Sequence, residues 1–293
     1  MTRLSALEHA APARAGAPGA RASEAGLRAL DGLPFPTRVS RRGSRGLARL
    51  AGGAFLPLLL LALWQLTTSL GLFSAVQLPS PPSVVAAGVD LVARGALGVY
   101  VAVSTQRVLA GFAIGASLGL LIGALTGLGR SWDRFFGATL GAIRAVPSLA
   151  WVPLLILWLK IGEESKISLI AIGAFFPVFT TVSAALRHVD RQLVEAGRAF
   201  GLRGVRLFTT VQLPAVLPAV ISGLRLALAQ SWLFLVAAEL IASSSGLGFL
   251  LVDSQNNGRV DRILLAIILL AFLGKTTDAA IGLFERWSSR RWT

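Results

Sequence analysis

The chain has 293 residues, 54% of them hydrophobic and only 14% charged, with a mean hydropathy of +0.70; a water-soluble globule does not carry so few charges, so the composition predicts an all-α, polytopic integral membrane protein. A formal net charge of +14 raises nucleic acid as a partner, but where the charge sits makes that explanation unnecessary. Cysteine is absent and the two histidines, His9 and His188, both lie outside the apolar runs, so no thiolate or other metal site, no bound cofactor and no catalytic constellation is expected.

Residues 1–50 are rich in Ala, Gly, Pro and Arg with no apolar period. They bury too little surface to offset the entropy of ordering, and the expectation is a disordered basic cytoplasmic tail ahead of a transmembrane domain at 51–293. A cleaved presequence is the competing reading; it is disfavoured because the basic residues run up to a full-length span rather than a short apolar region. Apolar runs at 51–70, 103–128, 135–159, 167–186, 216–242 and 263–284 each come near or exceed the about 20 residues that a spanning helix needs, which predicts six crossings. With both termini inside, most basic residues fall on one side: those before residue 51, Arg130, Arg134, those from Arg187 to Arg206, and those from Arg286 onward. Only Arg94, Lys160, Lys166, Arg259 and Arg262 fall on the other, an asymmetry that places the segment 187–215 in the cytoplasm.

After the first run, Gln77-Leu-Pro-Ser-Pro-Pro-Ser-Val84 leads into a half-apolar segment, 84–92, too short to cross and expected to lie along the outer face. The second run carries Gly111, Gly115, Gly119, Gly123 and Gly127 at every fourth position, a spacing that lets another helix approach closely. The third holds Pro147 and Pro153, which free backbone carbonyls where the chain lines a cavity or packs on protein, and Arg144. A charge at that depth either snorkels to the interface or meets substrate in a path. The fourth run has Pro177 near its middle.

The segment 187–215 is far longer than a turn between packed helices requires, which marks it for a partner. Val194, Phe200, Leu202, Val205, Phe208 and Val211 alternate with Arg198, Arg203 and Arg206 at roughly helical spacing, predicting two short amphipathic helices. Gly201 is expected to end the first in a left-handed cap, and Pro214 and Pro218 to open the next span. In the fifth run Arg225, Gln230, Ser231, Trp232 and Glu239 share one stripe about 21 Å long, which must face the bundle interior or a second subunit. Glu239 is expected either to gate a path or to brace a dimer seam. The small residues from Ala242 to Gly248 suit a re-entrant turn or outer gate. In the last run Gly274-Lys275-Thr276 mimics the end of a phosphate-binding loop, but Leu269 stands where its first glycine belongs, and Lys275 is expected to pair with Asp278.

The stretch Glu195 to Pro214 resembles the Glu-Ala-Ala loop of permease subunits of binding-protein-dependent ABC importers. Glu195, Ala196, Gly201, Leu213 and Pro214 match that pattern at its spacing, with Gly197 in place of its second Ala and Val211 in place of its Ile. Ile143-Arg144-Ala-Val-Pro147 and Ala150-Trp-Val-Pro153-Leu-Leu-Ile-Leu-Trp158 are similar to the nitrate, sulfonate and taurine branch, nearest the aliphatic sulfonate permeases. The Leu-Pro-Ser-Pro step after the first run is also similar, so the resemblance covers about residues 55–289. It implies the type I importer permease fold, two copies forming the pore, two ABC ATPase subunits in the cytoplasm and a substrate-binding protein outside the bacterial inner membrane. Glu195, Ala196, Gly197, Arg198, Phe200, Gly201, Arg203, Val205, Phe208, Leu213 and Pro214 would then form the ATPase-coupling surface, and Arg144, Arg225, Gln230, Trp232 and Glu239 are candidates for the translocation path. Two other classes fare worse. An intramembrane enzyme needs convergent catalytic groups, and an ion-coupled transporter or channel needs inverted repeats or paired acids in spans; neither pattern is found.

Overall fold

A computed structural model describes the backbone of residues 44–292 and the side chains of 55–286 except that of Ala242. Of the expected tail, residues 1–43 lie outside the described residues, while 44–50 begin the first helix. That helix is α1 (Ser44–Ser69), and the compact unit Leu59–Thr293 holds every other element. These are α2 (Pro81–Ala93), α3 (Ala96–Leu128), α4 (Arg130–Ala145), a 3₁₀ turn (Ser148–Trp151) leading to α5 (Val152–Leu159), α6 (Glu163–Arg187), α7 (Arg191–Ala199), α8 (Gly204–Leu207), a π turn (Phe208–Gln212), α9 (Leu213–Ala242), α10 (Leu247–Asn256) and α11 (Val260–Trp292). Among the described residues all regular structure is helical, as a bilayer demands of a chain that does not close a barrel.

Four stretches are long and apolar enough to cross a membrane unbroken: Ala96–Leu128, Glu163–Arg187, Gly204–Ile241 and Val260–Arg286. The run expected as a third crossing, 135–159, is not one straight helix, because α4 and the helix that follows it meet at 88°. Pro147 cannot donate to the preceding turn and its ring pushes Val146 out of the helical region, to φ −74° and ψ 124°. The described apolar part of α1, Phe55–Ser69, is shorter than a full crossing.

The glycine stripe decides how these pieces are threaded. A Cβ on Gly111 would stand 2.6 Å from Ile170, one on Gly119 2.8 Å from the Phe175 carbonyl oxygen, one on Gly123 3.0 Å from that of Phe179, and one on Gly127 2.7 Å from Leu186; on Gly115 it would overlap the Ala171 carbonyl. The stripe therefore lies against α6 at backbone contact, and because both numberings rise together the two helices run parallel. A chain leaving the end of α3 must travel back before α6 begins. The bent α4–α5 segment makes that return and so counts as a broken crossing rather than a re-entrant loop. Thr126 Oγ1 donates to Ser183 Oγ at 3.0 Å across the same seam, and Val108, Leu169, Ile170, Leu228 and Leu235 fill the core beside it.

The bundle thus has two ends. One holds the turn between α6 and α9, with α7 and α8. At the other, the beginnings of α3, α6 and α11 meet the end of α9, the short α10, and α2, whose Leu91 packs with Leu247, Leu250 and Ala266. The segment 84–92, expected to lie flat, is part of this layer: α2 buries Val84, Ala87 and Leu91.

Candidate functional site

The loop end carries the sequence-predicted coupling surface. Asp190 caps α7 by accepting from the Gln192 backbone N–H at 2.8 Å, and the Arg191 guanidinium holds Glu195 at 2.6 Å one turn later. Gly201 has φ +81°, with its N–H on the Arg198 carbonyl and the Leu202 N–H on the Gly197 carbonyl, a paired closure that satisfies two carbonyls at the helix end. Gly197 is buried, and a Cβ there would stand 2.8 Å from Leu207. The small residue at that position is what lets α7 lie on α8 and the π turn.

The second of the two expected short helices is instead the start of one continuous helical stretch from Gly204 to Ile241, 38 residues. Pro214 has no N–H to give to the turn before it, and the chain widens there into the π turn rather than breaking. Phe208 turns inward, half-buried beside Val216 and Val220. Phe200 and Val205 remain as large apolar groups in the open, 87% and 77% exposed, flanked by exposed Arg198, Arg203 and Arg206. Leu213 and Pro214 are half-buried at the start of α9, and Ala196 is exposed beside Glu195.

The residues grouped as a candidate path do not share one surface. The Arg225 guanidinium grips Asp278 with two hydrogen bonds, at 2.8 and 2.9 Å, and reaches Glu285 at 3.2 Å, binding α9 to α11. Lys275, expected to pair with Asp278, stands 3.8 Å away as a secondary partner, because the planar fork of Arg225 fits the carboxylate better. The Trp232 indole N–H donates to Thr277 Oγ1 at 3.0 Å, again toward α11. Gln230 is half-buried. Glu239 is buried within its own chain, its side chain 0% exposed, and it bonds α3 rather than α11.

Arg144 lies exposed on α4 and has no hydrogen-bond or ion-pair partner among the described residues. It lines a cavity of about 370 Å³ with Gly137, Gly141, Thr180, Ser183 and His188, where the Asp133–Arg187 ion pair also sits. Along the same two helices the next cavity, about 360 Å³, is walled by Leu118, Leu140, Ile143, Trp151, Trp158 and Phe175.

Sequence reasoning passed over a heavily bonded group among the described residues, Arg107. Its guanidinium is 4% exposed on α3 and donates through Nη1 to Glu239 at 2.6 Å, to the Ser245 carbonyl at 2.6 Å and to Ser243 Oγ at 3.1 Å. Through Nε and Nη2 it binds both oxygens of Glu163 at 2.6 Å, and Lys166 adds a contact to Glu163 at 3.2 Å. Glu239 also accepts from Ser104 Oγ at 2.9 Å and from the Gly248 N–H at 2.7 Å. Two cations and two carboxylates balance, as burial requires. The signal was present, since Arg107 and Glu239 are opposite charges in apolar runs and each needs a partner.

With the geometry in place, comparison with known proteins defines the class. Residues 115–290 match the family described as binding-protein-dependent transport system inner membrane component. The chain belongs to that family, and it is a multi-pass inner-membrane permease subunit rather than an enzyme. It is 44% identical over 232 residues to the putative aliphatic sulfonates transport permease protein SsuC of Escherichia coli, covering 79% of this chain and 88% of that one. It is 40% identical over 234 residues to the SsuC protein of Bacillus subtilis, 80% and 85% covered, and 30% identical over 232 residues to the taurine transport system permease protein TauC of E. coli, 78% and 84% covered.

Proposed function

We propose that this chain is the pore-forming permease of an ATP-driven importer for aliphatic sulfonates, acting as a homodimer with two ATPase subunits on the loop side and a soluble binding protein on the far side. Both termini and the loop are then cytoplasmic, in line with the basic residues concentrated on that side. The observation that carries the reading is the loop itself: an apolar pair, Phe200 and Val205, held out in water among three arginines on a capped, well-packed helix turn. Exposed apolar side chains ringed by charge are what a partner's groove buries, with the arginines steering an acidic rim. ATP hydrolysis belongs to that partner.

Force entering at α7 passes through the Gly197–Leu207 contact into a helix about 57 Å long that ends beside Glu239. Motion at the loop therefore has a stiff route to the far end. The sulfonate assignment is supported by the two SsuC relatives and by Arg144, a cation without a partner among the described residues in a polar cavity next to an apolar one. An alkyl sulfonate has one anionic end and one apolar end.

Reconstitution of the permease with its ATPase and binding protein into liposomes tests the reading. ATP-dependent uptake of labelled ethanesulfonate is expected, and none from the permease alone. Preferential uptake of taurine or nitrate would move the substrate and leave the importer standing. Gly201→Asp, which puts a Cβ and a charge at φ +81°, is expected to abolish uptake while the protein remains in the membrane; wild-type uptake in that variant would remove the coupling role from the loop.

A further inference from the structure

The segment Ser243–Gly248 joins α9 to α10 at the far end, and side chains of other elements hold it almost atom by atom. Arg107 donates to the Ser245 carbonyl and to Ser243 Oγ, Ser104 Oγ accepts from the Leu247 N–H at 2.8 Å, and Glu239 accepts from the Gly248 N–H. Glycine is needed at two of these positions. Gly246 has φ +121° and a Cβ on it would overlap the Glu239 carboxylate; a Cβ on Gly248 would stand 2.6 Å from that of Glu239. The turn is thus moulded onto a carboxylate that Arg107 neutralises.

We propose that the Arg107–Glu239 pair is the latch of the outer gate: it holds Ser243–Gly248 closed over the beginning of α3 and parts when ATP binding opens that side. The inference rests on the importer reading above. Two features distinguish a latch from a fixed brace. A buried ion pair is rarely more stable than apolar side chains packed in the same volume, so a static joint has no need of one. Arg107 also has a second carboxylate already bound, Glu163, whose side chain is 57% exposed at the start of α6. When the turn lifts away, Arg107 keeps that partner and its charge is never left alone; Glu239 keeps the Ser104 hydroxyl and gains the water that enters. Arg107 is therefore a positioning residue for transport, acting through the turn it grips.

The natural absence of cysteine makes the test direct. Leu247, 0% exposed within the turn, is replaced by Cys, and the whole importer, with ATPase and binding protein in liposomes, is treated from outside with a membrane-impermeant maleimide. At rest, labelling should be slow, and during ATP turnover at least tenfold faster. Adding Glu239→Gln, which keeps the shape and removes the charge, should raise the resting rate at least tenfold and let the ATPase run without the binding protein. Gly246→Ala keeps both charges and displaces the turn, and should do the same should Glu239→Gln not reach the membrane. No acceleration during turnover would make the pair a fixed brace and overturn the proposal, as would unchanged resting rates in whichever of the two variants reaches the membrane. Sulfonate uptake is measured on the same liposomes, so a dead latch in a working importer is told apart from an importer that does not work.

Discussion

The two ends of this bundle solve opposite problems with the same residue type. At the loop end arginines stand in water around exposed Phe200 and Val205, hold few bonds and keep their hydration. At the far end one arginine, Arg107, is sealed among two carboxylates, a backbone carbonyl and a serine hydroxyl. Charge at the first end is available to a partner, and charge at the second is committed within the chain. The difference teaches where each end's energy resides: in the proposed coupling role, binding energy at the loop is realised only when another protein covers it, whereas the charges of the far end are already paired.

The comparison predicts that the ends fail differently. Arg107→Ala should have the largest effect, leaving Glu163 and Glu239 without their guanidinium and lowering stability by about 3–5 kcal/mol, read as a fall in the unfolding temperature of the detergent-solubilised permease. Arg107→Lys should recover part of that loss, since an ammonium restores the charge but cannot reach two carboxylates with a planar fork. At the loop, replacing Phe200 and Val205 together by Ala should leave the unfolding temperature of the isolated permease unchanged and weaken ATPase binding by about 2 kcal/mol, roughly 30-fold. A variant at either end that moved both readouts equally would erase the distinction.

How much of this the sequence disclosed follows from how local each signal is. The glycine stripe was legible because its period matches the helix and its meaning, close approach, does not depend on which helix comes near; that the partner is α6, in parallel, is visible only in the register of Gly111 through Gly127 on Ile170 through Leu186. The left-handed cap at Gly201 was legible for the same reason, being written in a few adjacent residues. The turn at Pro147 was legible as a break, while its angle depends on what surrounds it. The continuity of α8 into α9 was missed because Pro214 and Pro218 read as a beginning, when a π turn let the helix pass Pro214 and α9 carries Pro218 within it. The charged cluster was hidden for a different reason: Arg107 lies 56 residues from Glu163 and 132 from Glu239, and no pattern within either helix links them. Arg225 and Glu239 share a helical angle yet meet different neighbours, α11 for one and α3 for the other, because the partner packed against a helix changes along its length.

The smallest expected effect sharpens the same contrast within the far end, where an exposed ion pair sits close to the buried one. Asp90 on α2 bonds the Arg94 side chain at 2.9 Å and Arg262, at the start of α11, at 3.1 Å. The Arg94 hydrogen bond, aided by the charges of Arg94 and Arg262, holds the Asp90 carboxyl below the usual carboxylate range. Because the folded state favours the ionised form, the contribution of Asp90 to stability is present above the ordinary carboxylate pKa and lost as pH falls through the lowered one. The unfolding temperature of wild type should therefore exceed that of Asp90→Asn slightly at neutral pH, and the gap should close below about pH 3–4, the range where free carboxylates titrate. Salt should shrink it as well, since this pair is open to solvent, while the effect of Arg107→Ala, being buried, should barely respond to salt. A gap that widened in acid would reverse the sign assigned to Asp90 and detach α2 from the electrostatics of the far end.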